Sequence, residues 1–453
     1  MIGGWWVIRQ SDRLAGRETP YGLGALLYDE FDFSAMALRG LNAELGRLPG
    51  ATNPPRMVPH SAFSSSIEAP RPLKDRFFLE YPHAALLIFR AGYWIQPDWK
   101  EAPIPPGLPD AAYHNLAVHE PETSSQQETW SVLARARDFY FLVMVVAWFS
   151  LLGVLAAVYP PESRDGWFLL ALPAAIYFSI NRYDVLPSLC TAVSLAALSR
   201  QKTMLAAITL GLGTLLKVYP VLLAPLVLRF LWPKRHQALR FGIAYTATCL
   251  LAFSPLVFGA DLTAVLAPYR FQLFRPPEPG LTIYGCLLPI DWADGVRGMV
   301  FRMVALTATL TLCLYRPIET WDSLLRRGVI VLAVFVSLAV FYSPQWIVWF
   351  IPLLAPLIRN EAWLRLGAIG TDVVNYLTFP VWFWVLPTMA HEWGLGDSQI
   401  DPILIQMGNL LRLVRFLLIG LILIGTIRAE WGRTAFVEAI FARISRAVSA
   451  SGA

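Results

Sequence analysis

Charge is scarce in these 453 residues. Asp, Glu, Lys and Arg make up 15% of the chain and 56% is hydrophobic, whereas a soluble globular domain carries about 25% charged residues. That shortage excludes an ordinary soluble domain. Cysteine is scarce too. Of the four, Cys190, Cys249 and Cys313 fall in apolar segments and Cys286 stands alone in a loop. There is no C-x-x-C and no Cys/His spacing, which excludes a disulfide framework and a zinc site. No long basic run exists. The net charge of +5 arises from Lys and Arg placed singly or in pairs in short loops, so it reads as a determinant of membrane topology, not as a nucleic-acid surface. No secretory signal is expected, and Met1–Arg9 is far too short for a spanning helix. Internal repeats are not visible. Gly211-Leu212-Gly213 with Lys217 downstream lacks the Gly-Lys-Ser/Thr ending of a phosphate loop, and His391-Glu392 has no second His at metalloprotease spacing.

What is present is apolar sequence in long stretches. Against a yardstick of about 20 residues per crossing, segments fall at about 138–158, 166–182, 184–199, 203–216, 218–232, 239–258, 298–315, 328–343, 345–358, 364–386 and 409–427. The chain therefore reads as an all-α polytopic membrane protein with about ten or eleven transmembrane segments. Several are short and contain Pro, as broken helices that line a cavity do. Three domains follow: a polar, Pro-rich region 1–137, a transmembrane region 138–428, and a tail 429–453. Within the first, Tyr81–Ile95 is amphipathic and too short to span, which predicts an interfacial or re-entrant helix. Residues 97–129, rich in Pro, Glu, Ser and Gln, read as a flexible insertion.

The loops Ser199–Lys202, Lys234–Arg240, Arg316–Arg327 and Arg359–Arg365 all carry Lys or Arg. Alternation puts them on one side with the tail after Arg428, and the positive-inside rule makes that side cytoplasmic. The opposite, non-cytoplasmic side receives residues 10–137, Asn181–Asp184, Lys217–Pro220, the loop 259–297, Ser343–Trp346 and the loop 387–408. The loop 259–297 runs against the rule, with Arg270, Arg275 and Arg297. Nothing upstream would carry the long polar region across, so a late or misassigned start is expected.

The polar signatures thus share one face. An ionised group at membrane depth costs several kcal/mol on typical scales, so it usually faces a cavity and has a task. Asn181-Arg182-Tyr183-Asp184 joins two apolar segments. It reads either as a structural ion pair or as an anion site in which Asp184 orients Arg182 toward a lipid-linked phosphate. Lys217-Val218-Tyr219-Pro220 offers a compact cation for a phosphate leaving group beside a helix-breaking Pro, or else a snorkelling lysine. In Ser343-Pro344-Gln345-Trp346, Gln345 can read sugar hydroxyls and Trp346 can stack on a sugar face, or the segment is a plain helix-joining turn. In Asp29-Glu30-Phe31-Asp32 a carboxylate could act as general base toward a hydroxyl, and the group could hold Mg²⁺ or Mn²⁺; a solvated cap is the plain alternative. Glu80-Tyr81-Pro82-His83 opens the interfacial helix. Arg270, Arg412 and Arg415 belong on or near the same face. Arg412 and Arg415, three apart on one helix face, could contact a lipid phosphate or be ordinary interfacial cations.

Together these residues resemble the polyprenol-phosphate-mannose-dependent mannosyltransferases of the GT-C glycosyltransferase superfamily. Asn181–Arg229 is similar to that family's centre, and Ser343–Pro352 is similar to its Ser-Pro-Gln-aromatic-x-x-Trp segment. Glu80–Pro82 is similar to its Tyr-Pro-Pro entry helix, with His83 in place of the second Pro. Asp32-Phe33 with Met36 and Arg39 is similar to the stretch that holds the catalytic Asp. The chain departs from the family in having no first helix and in the insertion 97–129. The resemblance implies a GT-C-like fold and an inverting transfer of a mannose-like hexose from a polyprenyl-phosphate-sugar donor to a lipid or glycan acceptor. It places the site at the outer face of the cytoplasmic membrane. Asp32 would be the base, with Asp29 as understudy. Lys217 and Arg182 would stabilise the leaving phosphate, and Gln345 and Tyr219 would line the sugar pocket. Asp184, Trp346, Glu80 and Tyr81 complete the expected sugar and acceptor pocket. No metal is required and no nucleic acid is involved. A transporter or flippase is the competing class, but such proteins place their charges near the midplane and between repeats.

Overall fold

The computed structural model describes residues 82–96, 124–258, 262–274, 282–284, 286–289, 292–293, 295–359, 361–386 and 397–432. Among these there are thirteen α-helices and no strand, with one isolated bridge between Tyr284 and Leu288. The fold is all-α, as expected. Among the described residues, three helical stretches, Ala134–Val158, Gly295–Tyr315 and Pro402–Trp431, are long and apolar enough to cross a membrane.

The first described helix, α1 (His83–Trp94), coincides with the amphipathic segment. It buries Ala85, Leu86, Phe89 and Tyr93 and exposes Leu87 and Trp94. Its seat is α2 (Ser124–Gly153). A Cβ on Gly92 would meet the Tyr140 ring at 2.8–2.9 Å, so the two helices touch there only because the residue is Gly. Helix α2 begins at Ser124, inside the stretch read as a flexible insertion. It continues through one wider turn, Val154–Val158, and ends before Pro160 and Pro161.

Proline cuts the apolar segments into pieces. The segment near 166–182 splits at Leu172, whose extended backbone (ψ 153°) is what a residue before proline adopts. Pro161–Ala171 is a 3-10 stretch, and α3 (Pro173–Asn181) opens with Pro173 in its first turn. Next come α4 (Val185–Ser199) and α5 (Thr203–Leu216). Their 15 and 14 residues reach about 22 Å, short of the roughly 30 Å hydrocarbon core. They form an antiparallel hairpin. Ser194 Oγ donates to Ala206 O at 2.8 Å, and a Cβ on Gly213 would lie 3.1 Å from Cys190 Cβ. After a 3-10 turn at Tyr219–Leu223 follow α6 (Ala224–Leu231), α7 (Arg235–Leu250) and α8 (Leu262–Phe274). The remainder comprises α9 (Gly295–Tyr315), α10 (Trp321–Leu338), α11 (Ile347–Leu354), α12 (Ala362–Tyr376) and α13 (Asp397–Trp431). Beyond α12 the chain bends at Phe379 (φ −145°, ψ 120°), again immediately before a proline.

The basic loops meet at one end of this bundle. Arg200 Nη2 donates to Val158 O at 2.8 Å. Arg359 pairs with Asp165 at 3.2 Å, and Arg326 with Glu361 at 2.9 Å. Arg229 Nε donates to Leu314 O at 3.1 Å. Buried Arg327 clasps α13 through Glu430 at 2.7 Å and donates to the carbonyls of Cys313, Arg316 and Pro317. The segment ends carrying Arg182, Lys217 and Trp346 lie at the other end.

Candidate functional site

The centre of that second end is Asp184. It stands at the N-cap position of α4, yet its side chain makes no cap hydrogen bond. The fully buried carboxylate instead accepts from Lys217 Nζ, at 3.0 Å to Oδ1 and 3.2 Å to Oδ2, and from Trp349 Nε1 at 2.7 Å. Lys217 reaches it because the helix stops there. Its backbone is extended (φ −150°, ψ 139°) at the C-cap of α5, three residues before Pro220. A cation at a helix C-terminus and an anion at a helix N-terminus both suit the helix dipoles. The ammonium also lies 4.5 Å from the Tyr183 ring centroid and 5.6 Å from that of Trp349. Tyr183 is backed in turn by Phe89 of α1, edge-on at 5.9 Å.

An aromatic column runs from this ion pair. Tyr219 stacks on Trp349 (4.5 Å, 10°), and Trp349 stacks on Trp346 (4.7 Å, 20°). Tyr342 meets Trp346 at 5.6 Å. The guanidinium of fully buried Arg415 lies 4.1 Å from the Tyr342 ring centroid, within cation–π range. The Tyr342 hydroxyl donates to Asn375 Oδ1 at 3.2 Å. Three residues earlier on α12, Asp372 accepts from the backbone N–H groups of Ala174 and Ala175, at 2.9 and 2.8 Å. It thereby caps α3, whose far end carries Arg182.

The site residues expected from sequence fare differently. Lys217, Asp184 and Trp346 come together. Arg182 does not join Asp184: its guanidinium lies 5.2 Å from the Phe379 ring centroid and Nη1 donates to Asn181 O. The extended C-cap backbone of Arg182 (φ −130°, ψ 152°) parts the two side chains. Tyr219 stands in the aromatic column, stacked on Trp349. It is buried, with its hydroxyl 3.1 Å from Thr191 Oγ1 and 3.4 Å from Ser188 Oγ. Gln345 sits in the 3-10 turn Pro344–Trp346. Arg415 reaches the column through Tyr342, and Arg412 Nη2 donates to Asn409 Oδ1 at 3.0 Å. Arg270 belongs to α8. Asp29, Glu30, Asp32, Glu80 and Tyr81 lie outside the described residues, and with them the expected base and the expected Mg²⁺ or Mn²⁺ ligands. Among the described residues no three His, Cys, Asp or Glu side chains group as metal ligands would.

Sequence reading assigned no role to Trp349, Tyr342 or Asn375. A signal for Trp349 was available: it falls three residues after Trp346, so both rings project to one side of the chain. Tyr342 and Asn375 carry no local signal. Comparison of the chain with protein-family models, curated proteins and solved structures gives no match.

Proposed function

We propose that this chain is a multi-pass membrane glycosyltransferase of the GT-C type. It would use a polyprenyl-phosphate-linked, mannose-like hexose and a lipid or glycan acceptor at the non-cytoplasmic face of the cytoplasmic membrane. The observation that carries this reading is the Lys217–Asp184–Trp349 cluster, set in an aromatic column at the end of the bundle opposite the basic loops. A held ammonium, aromatic faces and carboxamides at one end of an apolar bundle suit an anionic glycolipid head group. The shorter helices would complete about ten or eleven crossings, with their broken ends turned to the site.

In the reaction, the acceptor hydroxyl oxygen bonds to the anomeric carbon as the bond from that carbon to the phosphate oxygen breaks. The phosphate leaves with the electron pair and the configuration inverts. Asp32 takes the hydroxyl proton, with Asp29 as the alternative base. Lys217 and Arg182 face the negative charge that grows on the leaving phosphate, where fixed cations act most strongly. Arg412, Arg415 and Arg270 hold the ground-state phosphate, and Gln345 and Trp346 hold the sugar.

The test is sugar transfer in membranes that contain the chain and radiolabelled polyprenyl-phosphate-mannose. Wild type should move label to a lipid or glycan acceptor, and both Asp32→Asn and Lys217→Ala should lose at least about 100-fold of that rate. Absence of transfer from intact donors of several sugars would overturn the enzyme reading in favour of a transporter. Near-normal turnover in Asp32→Asn with loss in Asp29→Asn would move the base to Asp29.

A further inference from the structure

Two carboxamides lie beside the aromatic column: Gln345, already set against the sugar, and Asn375, which has no part in the reaction as written. Asn375 is fully buried on α12. The Tyr342 hydroxyl occupies its Oδ1, while its Nδ2 has no hydrogen-bond partner. A buried amide nitrogen with unused hydrogens is costly, and native proteins keep few of them. Gln345 is 8% exposed, and among the described residues its amide makes no hydrogen bond. The two residues belong to elements in contact, since the turn Pro344–Trp346 packs against α12. Tyr342 links them, bonded to Asn375 and 5.6 Å from the Trp346 ring that follows Gln345.

We propose that Asn375 and Gln345 are specificity-determining residues that hydrogen-bond the hydroxyl groups of a sugar head group. The inference rests on the glycolipid-donor reading for its ligand. The unused groups set the chemistry. The Asn375 amide nitrogen needs oxygen acceptors, and Gln345 can both give and accept. A sugar hydroxyl meets both demands and places a C–H face against an aromatic ring such as Trp346. A phosphate oxygen satisfies only the donors, and its charge is better met by the nearby cations. Sugars whose hydroxyls match the two amides would be bound, and deoxy analogues rejected, because a missing hydroxyl leaves the buried amide unpaired again.

The experiment uses the full chain in nanodiscs, with two probes: polyprenyl-phosphate-mannose and sugar-free polyprenyl phosphate. Asn375→Leu and Gln345→Leu are compared with wild type by probe affinity and by thermal midpoint. Affinity for the mannose lipid should fall about tenfold in each variant, as for the loss of one or two hydrogen bonds, and that for polyprenyl phosphate should hold. The ligand-free midpoint should barely move in Gln345→Leu, whose amide is unpaired in the free protein, and should fall modestly in Asn375→Leu, which also loses the Tyr342 hydrogen bond. An unchanged affinity for the mannose lipid overturns the proposal. Equal losses for both lipids also overturn it and give the amides to the phosphate. If Asn375→Leu does not fold, Gln345→Leu decides alone. Transfer is scored separately: mannose-lipid binding that depends on the amides, without transfer, removes the enzyme and keeps the sugar site. Transfer with amide-independent binding does the reverse.

Discussion

Asp184 is the residue on which the site turns. A fully buried carboxylate is tolerable only when its charge is met, and here an ammonium and an indole N–H meet it. Breaking a buried pair by removing one partner costs about 3–5 kcal/mol. The Lys217 side chain is 15% exposed, so the lower end of that range applies. Lys217→Met should therefore destabilise the protein by about 3 kcal/mol, because the carboxylate is left behind. The double variant Lys217→Met/Asp184→Asn should recover much of that loss. Thermal unfolding in detergent checks the cycle, and a double variant no better than Lys217→Met would deny the pairing. Trp349→Phe keeps the stack and removes one hydrogen bond to a charged group, so it should cost about 1.5–3 kcal/mol.

At the scale of elements, α3 is the piece that depends most on others. It has nine residues and too few turns to be stable alone. Asp372 of α12 bonds two of its first free N–H groups, at 2.9 and 2.8 Å. Such a cap is typically worth about 1 kcal/mol, and more when buried. Asp372→Ala should lower stability by about 1–3 kcal/mol and weaken the hold on Arg182 at the far end of the helix. Asp372→Asn keeps one acceptor and should lose less. Scanning fluorimetry on the two variants should rank them in that order, and an equal loss in both would locate the effect elsewhere than the cap.

For the whole molecule the informative fact is the separation of two polar ends. One holds Arg200, Arg327 and Arg359 in ion pairs and carbonyl bonds that close the loops. The other holds Lys217, Asp184 and the aromatic column. On the proposed reading these ends would face opposite compartments, and by the positive-inside rule the excess of cationic loops would make the first one cytoplasmic. With the four native cysteines replaced, a single Cys at Ser199 should react with impermeant reagent only from the cytoplasmic side. A Cys near Ala112 should react only from the other side. Cytoplasmic labelling of the second position would refute the topology.

Much of this was legible in the sequence, for local reasons. Scarce charge and long apolar stretches dictate helices, because a backbone away from water must satisfy its own hydrogen bonds. Some prolines announce where those helices break: Pro173, Pro220 and Pro380 each lie at or next to an observed break, whereas Pro268, Pro352 and Pro402 lie inside helices. Polar residues at segment ends mark one face, because alternation leaves them nowhere else. Partnership was not legible. Asp184 faces Lys217 instead of its near neighbour Arg182, Trp349 bonds a carboxylate 165 positions away in sequence, and Tyr219 is a buried stacking ring. Asn375 joins the group only because α12 packs beside Tyr342. The apolar pattern fixes which residues avoid water, whereas the pairing of two buried polar groups depends on how separate helices cross, and that is settled by packing of the whole bundle.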